Sequence, residues 1–217
     1  HLSELLSEKY GISFVVVRNY PRIADRSIRD SKAVDPPTIL IYQGALNEGR
    51  GLEQIIDALP ELDDVELWIA GEGDISESLR ERVRESKLTE RVRFLGRIAP
   101  SELPAITAKA DIGLNLLEGR SLNYYYSLAN KFLDYVHAGL PSINMDFPEY
   151  RRINKQAEVS VLLSSLDVGA IREAVYLLIE QPDYYLRLHR NCQDLRAQLD
   201  WDGEAQKLLD LIDELDG

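Results

Sequence analysis

The sequence has a single cysteine, Cys192, so no disulfide can close within it, and a reducing compartment is expected. No apolar run approaches the ~20 residues that would cross a bilayer, so no transmembrane segment is expected. Basic charge is scarce. Lys and Arg total 25 against 37 Asp and Glu, leaving −12 at pH 7. That balance argues against nucleic acid as the main partner, because phosphate backbones bind basic surfaces. Histidine is rare too. His137 and His189 lack partners at metal-ligand spacing, so structural roles are expected for both, with no metal and no cofactor. Internal repeats and low-complexity segments are missing.

What is present is the composition of a globular protein, 45% hydrophobic and 29% charged over 217 residues, enough for one or two domains with a full core. The sequence opens, without methionine, on "HLSELLSEKYG", which reads as a helix already in progress. We therefore expect a piece of a larger protein. "ISFVVVRNYP" (12–21), a β-branched run bounded by Gly11 and Pro21, reads as a buried strand. "RIADRSIRDSKAVDPP" (22–37) is charged, lacks hydrophobic periodicity and ends in two prolines, which marks a linker.

Beyond the linker the pattern becomes regular. Strands are expected at 38–44, 65–73, 91–96, 111–117, after Pro141 and at 158–163, with helices between them. One helix, after Gly73, begins with the capping-box spacing Asp74-x-x-Glu77. Another begins near Pro100-Ser101, and a helical tail fills most of 167–216. About six short strands alternating with helices imply an α/β fold, a doubly wound, Rossmann-like parallel sheet covered on both faces.

In such a sheet, ligands bind beyond the carboxyl ends of the strands. The first strand exits into Gly44 and "ALNEGRG", which brings Arg50 to the next helix start; the second exits into Gly71-Glu72-Gly73, the third into Gly96-Arg97 and the fourth into "EGRSLNYYYS". The next stretch, "ANKFLDYVHAGLPSI" (129–143), carries Asn130, Lys131 and Asp134 on a helix that otherwise looks buried. Lys131 and Asp134 share a helix face. They are either a surface ion pair, worth under ~1 kcal/mol, or two ligand-holding groups. Exit glycines let backbone approach a ligand, and Arg50 with Lys131 suits a diphosphate. A nearby carboxylate suits a ribose diol. Taken singly, Gly71-Glu72-Gly73 reads as a plain turn, Tyr124-Tyr125-Tyr126 as a half-packed loop, and Arg151 and Arg152 as a solvated helix face.

Taken in order along residues 37 to 200, these stretches resemble the second, donor-binding domain of GT-B glycosyltransferases, particularly the large retaining group known as family 4. "YQGALNEGRGLEQIIDAL" looks like that family's first strand, glycine loop and basic helix start, and "ELWIAGEG" like its second strand and turn. "NKFLDYVHAGLPSI" is the most specific match. The resemblance implies that Arg50 and Lys131 stabilise the leaving diphosphate. It also implies that Gly44, Gly71, Gly73 and Asn130 border the donor, that backbone around Arg97 and Ile98 meets the base, and that Asp134 binds the ribose in place of the usual glutamate. Two departures stand out. Tyr126 occupies the position eight before Asp134 where an acidic residue is common, and Ala45 replaces the arginine often found after the first glycine.

The same resemblance makes residues 1–36 the end of a truncated N-terminal domain with its interdomain linker, and 37–217 the nucleotide-sugar-binding, C-terminal half of a GT-B fold with a helical tail. The expected partners are a nucleoside-diphosphate sugar and, through the missing domain, an acceptor glycan or lipid-linked saccharide. The fragment alone is expected to be inactive. The intact protein is expected in the cytoplasm, with peripheral attachment to the inner face of the membrane as an option, and polysaccharide assembly is the setting by analogy. A sugar-nucleotide epimerase and a non-catalytic nucleotide-binding module remain open alternatives. A metal-dependent transferase would need Asp-x-Asp at a strand end, whereas Asp200-Trp201-Asp202 falls in the tail.

Overall fold

The computed structural model describes residues 2–22 and 34–216. Its centre is a six-stranded sheet in the order β3-β2-β1-β4-β5-β6. The strands are β1 (Thr38–Gln43), β2 (Val65–Ala70), β3 (Val92–Gly96), β4 (Ile112–Asn115), β5 (Ser142–Met145) and β6 (Ser160–Leu163). Every neighbouring pair is parallel. The chain builds outward from β1 to β3 and then returns to the other side of β1, so the order reverses between β1 and β4. That reversal opens a crevice at the strand ends.

Side-chain alternation along β1 shows why both faces must be covered. Leu40 and Tyr42 join the larger core with Leu67 and Ile69, while Ile41 packs on the opposite face with Tyr135, Ala110 and Leu140. Helices cover both faces: α2 (Leu52–Ala58, prolonged by a 3-10 turn at Leu59–Glu61), α3 (Ser76–Glu85), α4 (Leu103–Thr107), α5 (Leu122–Tyr125), α6 (Asn130–His137), α7 (Pro148–Gln156), α8 (Val168–Glu180) and α9 (Pro182–Arg196). The expected six-stranded, doubly wound sheet is what forms, and α8, α9 and α10 (Trp201–Asp216) make the helical tail. His137 of α6 and His189 of α9 are both buried where the tail meets the sheet domain, bonded to the carbonyls of Leu199 and Gly139 respectively.

The crevice has its own wedge. Strands β1 and β4 pair only at Leu40↔Ile112 and Ile41↔Gly113. Beyond that point the Tyr135 hydroxyl, from α6, lies 3.1 Å from both the Ile41 and Leu114 carbonyls. Its single proton is shared between one acceptor from each strand, which satisfies carbonyls that the parting strands can no longer pair. Gly113 makes room for the ring, since a Cβ there would lie 2.5 Å from it.

Two expectations fail. Residues 12–21 form no strand; Ile12 and Val15 are both 58% exposed. A β-branched run specifies readiness to pair, and among the described residues no strand lies alongside to supply the pairing. The segment after α1 (Leu2–Tyr10) is instead pinned at intervals. Arg18 donates its backbone N–H to Glu204 (2.9 Å) and its guanidinium to Glu149 (2.8 Å), while the Trp201 amide donates to the Pro21 carbonyl (3.2 Å). The capping box at Asp74 and Glu77 also does not form, because the Gly73 amide needs a partner and Ser76 Oγ accepts from it at 2.8 Å. Helix α3 then starts at Ser76 with no side-chain cap, and Glu77 pairs with Arg84. The expected linker, 22–37, lies largely outside the described residues.

Candidate functional site

The crevice at the ends of β1 and β4 holds a cavity of about 430 Å³, bordered by Tyr42, Gln43, Gly44, Arg50, Tyr124, Asn130, Lys131 and Asp134 among others. A second cavity of the same volume lies between α1, residues 14–19 and α6. Its walls are mostly apolar, and its two charged residues, Arg18 and Glu149, pair with each other. Uncompensated charge is found only in the first of these two cavities.

Helix α6 delivers Lys131 and Asp134. Its N-terminus is anchored by the Ala129 amide, which donates to the Tyr150 hydroxyl (3.2 Å). Lys131 is only 7% exposed, and its ammonium sits 3.8 Å from the centroid of the Tyr42 ring. The Tyr42 hydroxyl donates to the Ala45 carbonyl (2.7 Å), so the ring is fixed and also ties down the loop after β1. Burial pushes the Lys131 ammonium well below the usual lysine range, and the Arg50 charge adds to the effect.

Arg50 arrives from the loop leading into α2. Its guanidinium stacks 4.8 Å from the Tyr124 ring centroid, and its buried Nε has no hydrogen-bond partner among the described residues. A buried, unsatisfied donor on a cation is expensive unless an anion completes it. Among the described residues no carboxylate pairs with Arg50 or Lys131. Asp134 is engaged separately, accepting from Gln43 Nε2 at 2.8 Å. The surface ion-pair reading of Lys131 and Asp134 therefore does not describe this site.

Five of the nine residues singled out from sequence meet at this cavity: Gly44, Arg50, Asn130, Lys131 and Asp134. The other four do not line it. Gly71 sits behind the wall at φ +148°, so close to the first loop that a Cβ would come 1.9 Å from the Gly44 carbonyl oxygen. Gly73 presses likewise on Leu46, while Arg97 is exposed and Ile98 half-buried past β3. Tyr124 belongs to the short helix α5, capped by Ser121, rather than to a loop. Arg151 and Arg152 do lie exposed on α7, paired with Asp146 and Glu149. Among the described residues no cluster of side chains could hold a metal ion.

Sequence reasoning passed over Tyr42, Gln43 and Thr107. Gln43 carried a visible signal, a polar residue closing the apolar run TILIY at a strand's carboxyl end. Tyr42 carried none, because it simply continues the strand's apolar alternation.

Comparison with known proteins extends the geometry. The family model "Glycosyl transferases group 1" matches residues 37–181. A phosphatidyl-myo-inositol mannosyltransferase from Mycobacterium leprae is 27% identical over 175 residues, 78% of this chain and 45% of that protein. Among solved structures, sucrose-phosphate synthase from Thermosynechococcus elongatus superposes with a TM-score of 0.80 at 18% identity, over 98% of this chain and 56% of that one. An Anabaena protein crystallised with UDP-glucose gives a TM-score of 0.78 at 15% identity, over 92% of this chain and 57% of that one. The chain spans about half the length of the curated relatives it matches. With a family model covering its whole sheet and its candidate site, this chain belongs to the group 1 glycosyl transferases.

Proposed function

We propose that this chain is the donor-binding, C-terminal half of a GT-B glycosyltransferase that moves a sugar from a nucleoside diphosphate to an acceptor glycan or lipid-linked saccharide. Residues 37–217 form the donor domain in this reading, and residues 1–36 belong to the end of an acceptor-binding domain and its linker. The observation that carries the proposal is the convergence of Arg50 and Lys131 on one cavity with no carboxylate paired to either among the described residues. Two cations with no carboxylate partner among the described residues, Lys131 buried and Arg50 half-buried with an enclosed Nε, form a site for a polyanion, and a diphosphate supplies it.

The chemistry follows from where charge develops. As the bond between sugar and diphosphate breaks, the departing oxygens become more negative. Arg50 and Lys131 are already in place, and burial has already stripped Lys131 of most of its water, so stabilising that charge costs little reorganisation. Asp134, beside the exit of β1, accepts hydrogen bonds from the ribose hydroxyls. Asn130 and the Gly44 backbone border the donor, and backbone at Arg97 and Ile98 meets the base at the outer end of the sheet. Retention at the sugar carbon and inactivity of the isolated half are part of the same proposal. Among the described residues no helix is long and apolar enough to cross a membrane. We place the intact protein in the cytoplasm or at its membrane face, where acceptors of this kind are assembled.

The test is a titration of the chain with UDP, GDP, ADP and CMP, following heat of binding and melting temperature. One diphosphate should bind and stabilise the fold, by about 2.7 kcal/mol at a hundredfold excess over its Kd. Lys131→Ala and Asp134→Ala should each lose that response while melting cooperatively. No response to any nucleotide would overturn the proposal.

A further inference from the structure

Resting on the reading just given, we propose that Gln43 is a positioning residue, the centre of a buried relay from Thr107 to Asp134 that fixes the ribose-binding carboxylate. The relay joins three elements distant in sequence. Thr107 is at the end of α4, Gln43 closes β1 and Asp134 lies in the middle of α6. Thr107 Oγ1 lies 2.7 Å from Gln43 Oε1, and Gln43 Nε2 lies 2.8 Å from Asp134 Oδ2. Gln43 is 2% exposed and Thr107 1%, so water does not compete with the contact between them, while Asp134 is half-buried and keeps one side open to the cavity.

Proton direction follows from the chemistry of the groups. An ionised carboxylate only accepts, so the Gln43 amide must turn its NH2 toward Asp134. That orientation leaves Oε1 facing Thr107, and a carbonyl oxygen only accepts. The Thr107 proton is thereby committed to Gln43. The same hydroxyl also lies 2.9 Å from the Leu103 carbonyl, but its one proton cannot serve both acceptors at full strength. The charge on Asp134 thus orders two groups behind it, and they hold it in return.

The arrangement compensates for a short side chain. Aspartate reaches one methylene less far than glutamate, and with fewer torsions it depends on its surroundings to orient its oxygens. Gln43 grips the carboxylate from the β1 side while itself bordering the cavity. A neutral amide does this without cancelling the charge the ribose hydroxyls need, whereas an arginine at the same place would consume it. Charge-assisted hydrogen bonds of this sort are about twice as strong as neutral ones.

The experiment pairs a variant with a modified ligand. Whichever nucleoside diphosphate binds the chain is titrated beside its 2′,3′-dideoxy counterpart, calorimetrically, against the unsubstituted protein and Gln43→Leu, Thr107→Val and Thr107→Ser. The unsubstituted protein should prefer the ribose form, and Gln43→Leu should weaken that form about tenfold or more while leaving the dideoxy form's affinity unchanged. Thr107→Val should shift in the same direction, and Thr107→Ser, which keeps the hydroxyl, should restore the preference. Equal weakening of both ligands would reduce Gln43 to a packing role and overturn the inference, as would an unaltered preference. If Gln43→Leu fails to fold, the two Thr107 variants decide by the same criterion. Absence of any diphosphate binding to the unsubstituted protein would instead overturn the function proposed above and this inference along with it.

Discussion

The ammonium of Lys131 rests 3.8 Å from the centroid of the Tyr42 ring. An aromatic face attracts a cation without neutralising it. Tyr42 therefore gives the charge a place to wait that a carboxylate would have spoiled, since an ion pair must be broken before a diphosphate can bind. The ring also faces Gly44, where an added Cβ would lie 3.5 Å from Lys131 Cε. Tyr42 near the end of β1 and Gly44 in the loop after it are thus fitted around one lysine.

Replacing that lysine should separate binding from stability. Lys131→Met keeps the apolar stem and removes a buried charge that no partner compensates. Denaturant unfolding should show stability unchanged or raised by about 1 kcal/mol, while diphosphate affinity falls roughly 100-fold. A loss of several kcal/mol would mean that Lys131 holds the fold rather than the ligand.

The depressed Lys131 ammonium makes both stability and binding depend on pH. Its folded value lies below the ordinary ~10.4 of an unfolded lysine, so in the window between the two the unfolded chain holds more protons. Below that window the fold bears the full cost of the buried charge. As pH rises through the folded value that cost is relieved, and stability gains a contribution. Diphosphate binding should reverse the shift and draw a proton in. Calorimetry in two buffers of different ionisation enthalpy should register proton uptake in that window, and Lys131→Met should lack it.

Gly113 and Tyr135 should behave as a coupled pair. Gly113→Ala would drive a methyl to 2.5 Å from the Tyr135 ring, with a cost of about 1–3 kcal/mol. Combined with Tyr135→Ala, the glycine substitution should cost markedly less than it does alone, so a double-mutant cycle should give a coupling above about 0.5 kcal/mol. Simple additivity would show that the sheet absorbs the methyl elsewhere.

Gly71→Ala tests whether a residue outside the cavity shapes it. The methyl would fall 1.9 Å from the Gly44 carbonyl oxygen, at a backbone φ of +148° that side chains rarely adopt. One loop must move, and Gly44 is the one that borders the cavity. We expect a drop of at least about 2 kcal/mol in stability and loss of diphosphate binding; retention of both would show that the loops yield freely.

The alternation of strands and helices was legible because strands of a parallel sheet covered on both faces are largely apolar, and the run ILIY announces that directly, with VELWIA departing from it only at Glu66. Arg50 and Lys131 were legible because they sit near helix starts that follow strand exits, and Asp134 because it shares a helix face with Lys131. The contact between Gln43 and Asp134 was not, because it joins residues 91 apart and depends on side-chain rotamers that periodicity does not encode. The run at 12–17 misled for a different reason. Its residues state a preference for a sheet, but burial depends on whether a neighbour is there to pair.

The joint between β1 and β4 gives the domain a mechanical grain. Three strands lie on each side of it, and it is held by two residue pairs where β1 and β2 share six. Under a pull across the sheet this seam parts first, with the Tyr135 hydroxyl as its rivet. Arg50 belongs to the plate built on β1 and Lys131 to the plate that follows β4. An anion gripped by both is therefore a clasp across the weakest line of the domain, and filling the cleft should toughen the protein most along that axis.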